Sequence, residues 1–155
     1  MDEIFLRRAV DLAQASVAHG EGGPFGAVIV RNGQIIAEGW NQVVASKDPT
    51  AHAEIVAIRI ASAGLGRFHL DDCVLYASSE PCPMCLSAAY WARVQRIVFA
   101  NSRSAAALIG FCDDDLYCEL GKAHAERSVP TLHLPLPGAD APLKAWLADP
   151  HHIAY

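Results

Sequence analysis

The sequence predicts a three-layer α/β/α sandwich built on one mixed sheet of five strands. Three observations carry this reading. An Asn-Gly pair, Asn32-Gly33, lies between two apolar runs, which is a strong hairpin signal. Strand-like and helix-like segments alternate after that hairpin, the pattern that favours helices packed on both faces of a sheet. The length, 155 residues, suits one domain with a single substantial core.

The first element is an amphipathic helix over residues 3–18, with apolar side chains at Phe5, Leu6, Ala9, Val10, Ala13 and Val17. Gly20, Gly22, Gly23 and Pro24 break it. Phe25–Val30 and Gln34–Gly39 form the hairpin. A second helix is expected from His52 to Ala63, ended by Gly64 and Gly66. Val74–Ser78 reads as a buried strand, Pro83–Arg93 as a helix, Arg96–Ala100 as a strand and Ser104–Ile109 as a helix. A fifth strand is expected near Thr131–Leu134 and a short helix at Ala141–Ala148. Between them Leu134–Pro142, with three prolines and a glycine, has the composition of a linker. The chain shows no internal repeat and no low-complexity tract.

Just over half of the residues, 52%, are hydrophobic and 19% are charged, ordinary values for a globular protein. No apolar stretch is long enough for a membrane span. Asp2 and Glu3 stand where a signal peptide would be basic, so a cytoplasmic address is expected. Twelve basic against seventeen acidic side chains give a net charge of −5, and the basic ones are scattered. A phosphate-gripping surface usually needs a basic patch, so a small-molecule substrate is expected rather than nucleic acid. The odd count of five cysteines points to metal ligands or core filling, not disulfides. Cys73, opening an apolar run, reads as core.

The chemistry concentrates in two short segments, Pro49-Thr50-Ala51-His52-Ala53-Glu54 and Ser79-Glu80-Pro81-Cys82-Pro83-Met84-Cys85. Zinc accepts imidazole and thiolate, and a catalytic site keeps three protein ligands plus a water. His52, Cys82 and Cys85 supply that set. Cys82 and Cys85 are three apart, on one face of a helix that starts there, and Pro83 suits its first position. At a helix N-terminus the dipole and free amides favour thiolate. His52 and Glu54, two apart, share a site only where the chain is still turning into a helix, and Thr50 is a candidate cap. Glu54 then reaches the open corner of the site without being a ligand. A lone Cys-x-x-Cys is also compatible with redox chemistry or half of a structural zinc site, with Cys73, Cys112 or Cys118 as formal fourth ligands.

His-x-Glu followed by Pro-Cys-x-x-Cys is the signature of zinc nucleobase deaminases. Over most of its length the chain resembles the cytidine deaminase-like superfamily, with particular likeness to the branch of bacterial guanine deaminases and tRNA adenosine deaminases. Gly23-Pro24-Phe25-Gly26-Ala27-Val28, Asp48-Pro49-Thr50-Ala51-His52-Ala53-Glu54 and Glu80-Pro81-Cys82-Pro83-Met84-Cys85 carry the likeness. The resemblance implies Zn2+ as cofactor and Glu54 as the catalytic proton shuttle. It implies Asn41 as a hydrogen-bonding partner of the base. Phe25 and Trp91 are candidate apolar walls of the pocket.

The C-terminal third separates the two kinds of relative. tRNA adenosine deaminases usually end in a basic helix, whereas this chain ends Asp149-Pro150-His151-His152-Ile153-Ala154-Tyr155. Gly110-Phe111-Cys112-Asp113 resembles the Gly-Phe-x-Asp element of guanine deaminases. Carried over, Asp113 accepts hydrogen bonds from purine N–H groups and Tyr155 acts as a lid, although Asp114 and Asp115 leave the register open by one position. The resemblance further implies a homodimer of one deaminase domain spanning 1–155, with 135–155 a tail that can swap between subunits. The expected reaction is hydrolytic deamination of guanine to xanthine and ammonia. Deamination of guanosine, another aminopurine, a pterin or a triazine is the main alternative, and tRNA adenosine deamination the second.

Overall fold

A computed structural model describes residues 1–155, which form two compact units, Met1–Asp113 and Asp114–Tyr155. In the first unit the elements run α1 (Asp2–His19), β1 (Gly26–Arg31), β2 (Gln34–Trp40), α2 (Val43–Ser46), α3 (Ala53–Leu65), β3 (Cys73–Ser79), α4 (Pro83–Trp91), β4 (Arg96–Asn101) and α5 (Arg103–Leu108).

The strands form one four-stranded sheet in the order β2-β1-β3-β4. β1 is antiparallel to both β2 and β3, and β3 is parallel to β4, so the sheet is mixed as expected. Asn32 and Gly33 both adopt positive φ, the geometry that closes a tight hairpin between β1 and β2.

Alternation along β1 sends side chains to two different cores. Val28 and Val30 pack with Phe5 and Leu12 of α1 and with Tyr76 of β3. Ala27 and Ile29 pack on the other face with Ala53, Ala57 and Ala61 of α3, Ala89 of α4 and Leu75 of β3. Helix, sheet and helices thus make the three layers. Small residues set the spacing. A Cβ on Gly39 would lie 2.3 Å from the carbonyl oxygen of Ala53, so this glycine lets the first turn of α3 rest directly on the sheet.

The second unit contains α6 (Asp114–Leu120), a short 3-10 helix (His124–Glu126) and α7 (Ala141–Ala148). α7 falls where the sequence placed it. The expected fifth strand does not form: residues 131–136 have no regular structure, and Leu132 and Leu134 are 90% and 86% exposed. Alternating apolar residues there meet no sheet edge, so the pattern alone is not enough to make a strand. α6, only seven residues long, is not among the elements expected from the sequence; two aspartates in its first turn suit the positive end of a helix dipole.

No helix is long and apolar enough to cross a membrane. All five cysteines are free thiols, and Cys73 is fully buried in the core as expected.

Candidate metal centre and active site

Two helix N-termini build the site. His52 occupies the position before α3 with extended backbone, φ −68° and ψ 154°, and Cys82 does the same before α4, φ −64° and ψ 168°. His52 and Glu54 therefore point into one site because the chain turns between them. Pro83 takes the opening position of α4, where its missing amide proton costs nothing. Thr50 does not cap α3. It donates from both amide and hydroxyl to the carboxylate of Asp48, at 2.8 and 2.7 Å, and so stiffens the approach to His52.

The three donor atoms lie within 4.8 Å of one another. His52 Nδ1 is 3.5 Å from the Sγ of Cys82 and 3.5 Å from that of Cys85. Zinc bonds of about 2.3 Å to sulfur and 2.0–2.1 Å to nitrogen, set at tetrahedral angles, require a separation of about 3.6 Å. The donor set therefore fits a tetrahedral zinc ion with little movement. Cys73 lies in the core and Cys112 and Cys118 are exposed, and the potential metal-holding group contains none of them, so the set has three members and not four.

Electrostatics point the same way. The neighbouring Cys85 and His52 hold the Cys82 thiol down at about 4. Cys85 is pushed well up by the Cys82 sulfur, by burial and by Glu54, so without a cation the two sulfurs oppose each other's ionisation. A divalent cation at the donor set would relieve that opposition. His52 is raised, mainly by Cys82.

Glu54 is only 7% exposed, and burial raises its pKa. Its Oε2 accepts from the Cys85 thiol at 3.4 Å. A buried carboxyl with raised pKa beside three metal donors is suited to carrying a proton.

The remaining predicted residues divide. Asn41 is buried and follows β2, and the Gln42 amide donates to the Ala51 carbonyl at 2.9 Å, which sets Asn41 beside the approach to His52. Phe25 meets Phe111 edge to face at 4.9 Å between ring centroids. Asp113 lies 3.8 Å from Arg103 Nε. Trp91 closes α4 six residues beyond Cys85, roughly 9 Å along the helix axis, and is 65% exposed. Its position does not bring it to the metal donors of the same chain. Tyr155 belongs to the second unit and is exposed.

Several contributors went unassigned in the sequence. Glu80 accepts from the Arg103 amide at 2.9 Å and so anchors the start of α5; it stands inside the quoted cysteine motif, which is the one signal that could have marked it. Glu21 accepts from the Trp40 indole. Phe111 stands inside the Gly110–Asp113 element without having been given a role, and Ser16 carries no motif at all.

Residues 1–101 match the family model of the cytidine and deoxycytidylate deaminase zinc-binding region. The chain belongs to this family.

The deaminase is 53% identical over 144 residues to the guanine deaminase of Bacillus subtilis, covering 93% of this chain and 92% of that one. The crystal structure of the guanine deaminase from Bacillus subtilis superposes with a TM-score of 0.96 at 50% identity, over 99% of this chain and 98% of that one. A tRNA-specific adenosine deaminase from Haemophilus influenzae is 42% identical over 118 residues, 73% of this chain and 68% of its own. The α/β fold of this deaminase is accordingly the cytidine deaminase-like one, with four strands in the sheet.

Proposed function

We propose that this deaminase converts guanine and water to xanthine and ammonia, with zinc held by His52, Cys82 and Cys85 and with Glu54 moving the protons. The observation that carries the substrate is the reach of the likeness. The guanine deaminase of Bacillus subtilis matches nearly end to end, through the Gly110–Asp113 element and the tail, whereas the tRNA-specific relative matches 73% of the chain. The net charge of −5 agrees with a small neutral substrate.

His52, Cys82 and Cys85 would hold zinc, which when bound would supply a water with its pKa lowered from about 15.7 to near 7. The chain's own residues do the rest. Glu54, with its pKa raised by burial, accepts a proton as water oxygen adds to C2 of the base. It passes that proton to the ring nitrogen, then takes the second proton of the added oxygen and gives it to the departing amine, so a C2 carbonyl forms as the C2–N bond breaks and ammonia leaves. Asn41 and Asp113 bind the polar edge of the base, and Phe25, backed by Phe111, covers a face of the ring.

Trp91 and Tyr155 are assigned to the pocket walls through a second copy. Supporting this, Trp91, Leu143, Trp146, Leu147, Ile153 and Tyr155 are all at least 46% exposed in one chain, and no residue from 101 to 155 is buried. A homodimer in which residues 135–155 pass to the partner gives this apolar surface a place to go. Free thiols throughout suit a cytoplasmic setting.

Ammonia release from guanine, guanosine, adenosine-containing tRNA and other amino-heterocycles tests the reading. Guanine should be turned over fastest. Release from tRNA or guanosine with none from guanine overturns the substrate.

A further inference from the structure

Asn41 is held by its neighbours in a way that fixes which atom it can offer. Its amide nitrogen of the backbone donates to the Phe25 carbonyl at 3.0 Å. Its side-chain Oδ1 accepts from two backbone amides, those of Gly23 and Val43, each at 3.2 Å. Exchanging oxygen and nitrogen would set an NH2 group against two N–H donors, so the orientation of the amide is determined. None of Asn41's hydrogen bonds uses Nδ2.

One buried side chain braces this arrangement from behind. Ser16, 1% exposed on the inner face of α1, donates its hydroxyl to the Asn41 carbonyl at 3.0 Å, with the Gly23 carbonyl 3.3 Å away. Gly22 closes the clasp. A Cβ there would lie 2.2 Å from Asn41 Oδ1 and 2.5 Å from its carbonyl oxygen, so only glycine lets the loop approach this closely.

We propose that Ser16 is a positioning residue, which through this clasp presents Asn41 to the substrate as a hydrogen-bond donor only. The group facing Asn41 is then an acceptor, a ring nitrogen lone pair or a carbonyl oxygen of the base. The inference rests on the reading that Asn41 meets the base.

The test compares KM and kcat for guanine, zinc content and thermal midpoint in wild type, Asn41→Ala, Asn41→Asp, Ser16→Ala and Ser16→Cys. Asn41→Asp keeps an acceptor for both loop amides but turns an oxygen toward the base. It should raise KM by roughly 100-fold, and by more than Asn41→Ala, with zinc retained. Ser16→Ala should raise KM about tenfold, with kcat and zinc little changed, a split that a purely structural role does not produce. Ser16→Cys, a weaker donor of similar size, should fall between.

Asn41→Asp binding guanine as tightly as wild type overturns the donor assignment. Wild-type KM in Ser16→Ala overturns the role of Ser16, even with a lowered midpoint; if that variant does not fold, Ser16→Cys with wild-type KM does the same. An unchanged KM in Asn41→Ala removes Asn41 from the base and overturns the inference with its premise. A wild type that releases no ammonia from guanine sinks the substrate instead, and the order of the two Asn41 variants then decides on the amino-heterocycle that does react.

Discussion

The two ends of β3 carry two clusters of polar groups, and they are built on opposite terms. At the N-terminal end, Asp72 lies 2.7 Å from Arg31 and is paired with Arg67 as well, while Asp2 takes both arms of Arg96 at 2.9 and 3.0 Å and the Tyr76 hydroxyl at 2.6 Å. Every carboxylate there is answered by a cation of the chain. Beyond the C-terminal end, His52, Cys82, Cys85 and Glu54 converge with no lysine or arginine bonded to any of them. The chain supplies donors and leaves the positive charge to come from outside. Charge satisfied within the chain fastens strands and helix; charge left open does chemistry.

The contrast in pKa follows. Burial raises Asp72, but hydrogen bonds from Cys73, Arg31 and Arg67 outweigh it and hold its carboxyl at about 2. Glu54 has no lysine or arginine beside it, hydrogen bonds and His52 offset its burial only in part, and its pKa is carried upward. The same residue chemistry is made into a fastening at one end and, in the proposed function, a proton carrier at the other.

The sharpest way to break this comparison is Glu54→Gln. Turnover should fall by about a thousandfold while zinc content stays at the wild-type level, because the side chain carries protons but does not hold metal. Loss of the metal along with activity would make Glu54 a ligand. Cys85→Ala should act the other way round, with zinc lost first and activity following, as read by metal analysis of the purified protein. Activity in a zinc-free Cys85→Ala protein would contradict the donor set.

At the other end, Asp72→Asn should leave kcat and KM unchanged and lower the thermal midpoint modestly. A pH series sharpens it. The folded pKa of about 2 lies below the ordinary aspartate value of 3.8, so the contribution of Asp72 is complete above 3.8 and disappears as pH falls towards 2. The difference in midpoint between wild type and Asp72→Asn should therefore shrink on acidification. A constant difference would assign the effect to packing.

The sequence made much of this legible, and the failures share a cause. β1 to β4 and the helices beside them were readable because each alternation or stripe is buried against a neighbour: Val28 and Ile29 on opposite faces of β1 are both fully buried. The supposed strand near Thr131–Leu134 has the same local pattern with nothing to pair against. Likewise His52, Glu54, Cys82 and Cys85 declared themselves by spacing, since two helix starts dictate their geometry. Thr50 was a reasonable cap by residue type, but Asp48 two residues earlier competes for its hydroxyl. Ser16 lies 25 residues from its partner Asn41, and only the folded chain brings them together.

The most direct test is a zinc titration of metal-depleted protein with ammonia release from guanine followed at each addition. Activity that climbs with the metal and levels off at one zinc per chain, and does so in wild type but not in Cys85→Ala, is the result expected of this site. Full turnover of guanine before any zinc is added, or saturation with metal that brings no turnover of any amino-heterocycle, would contradict it.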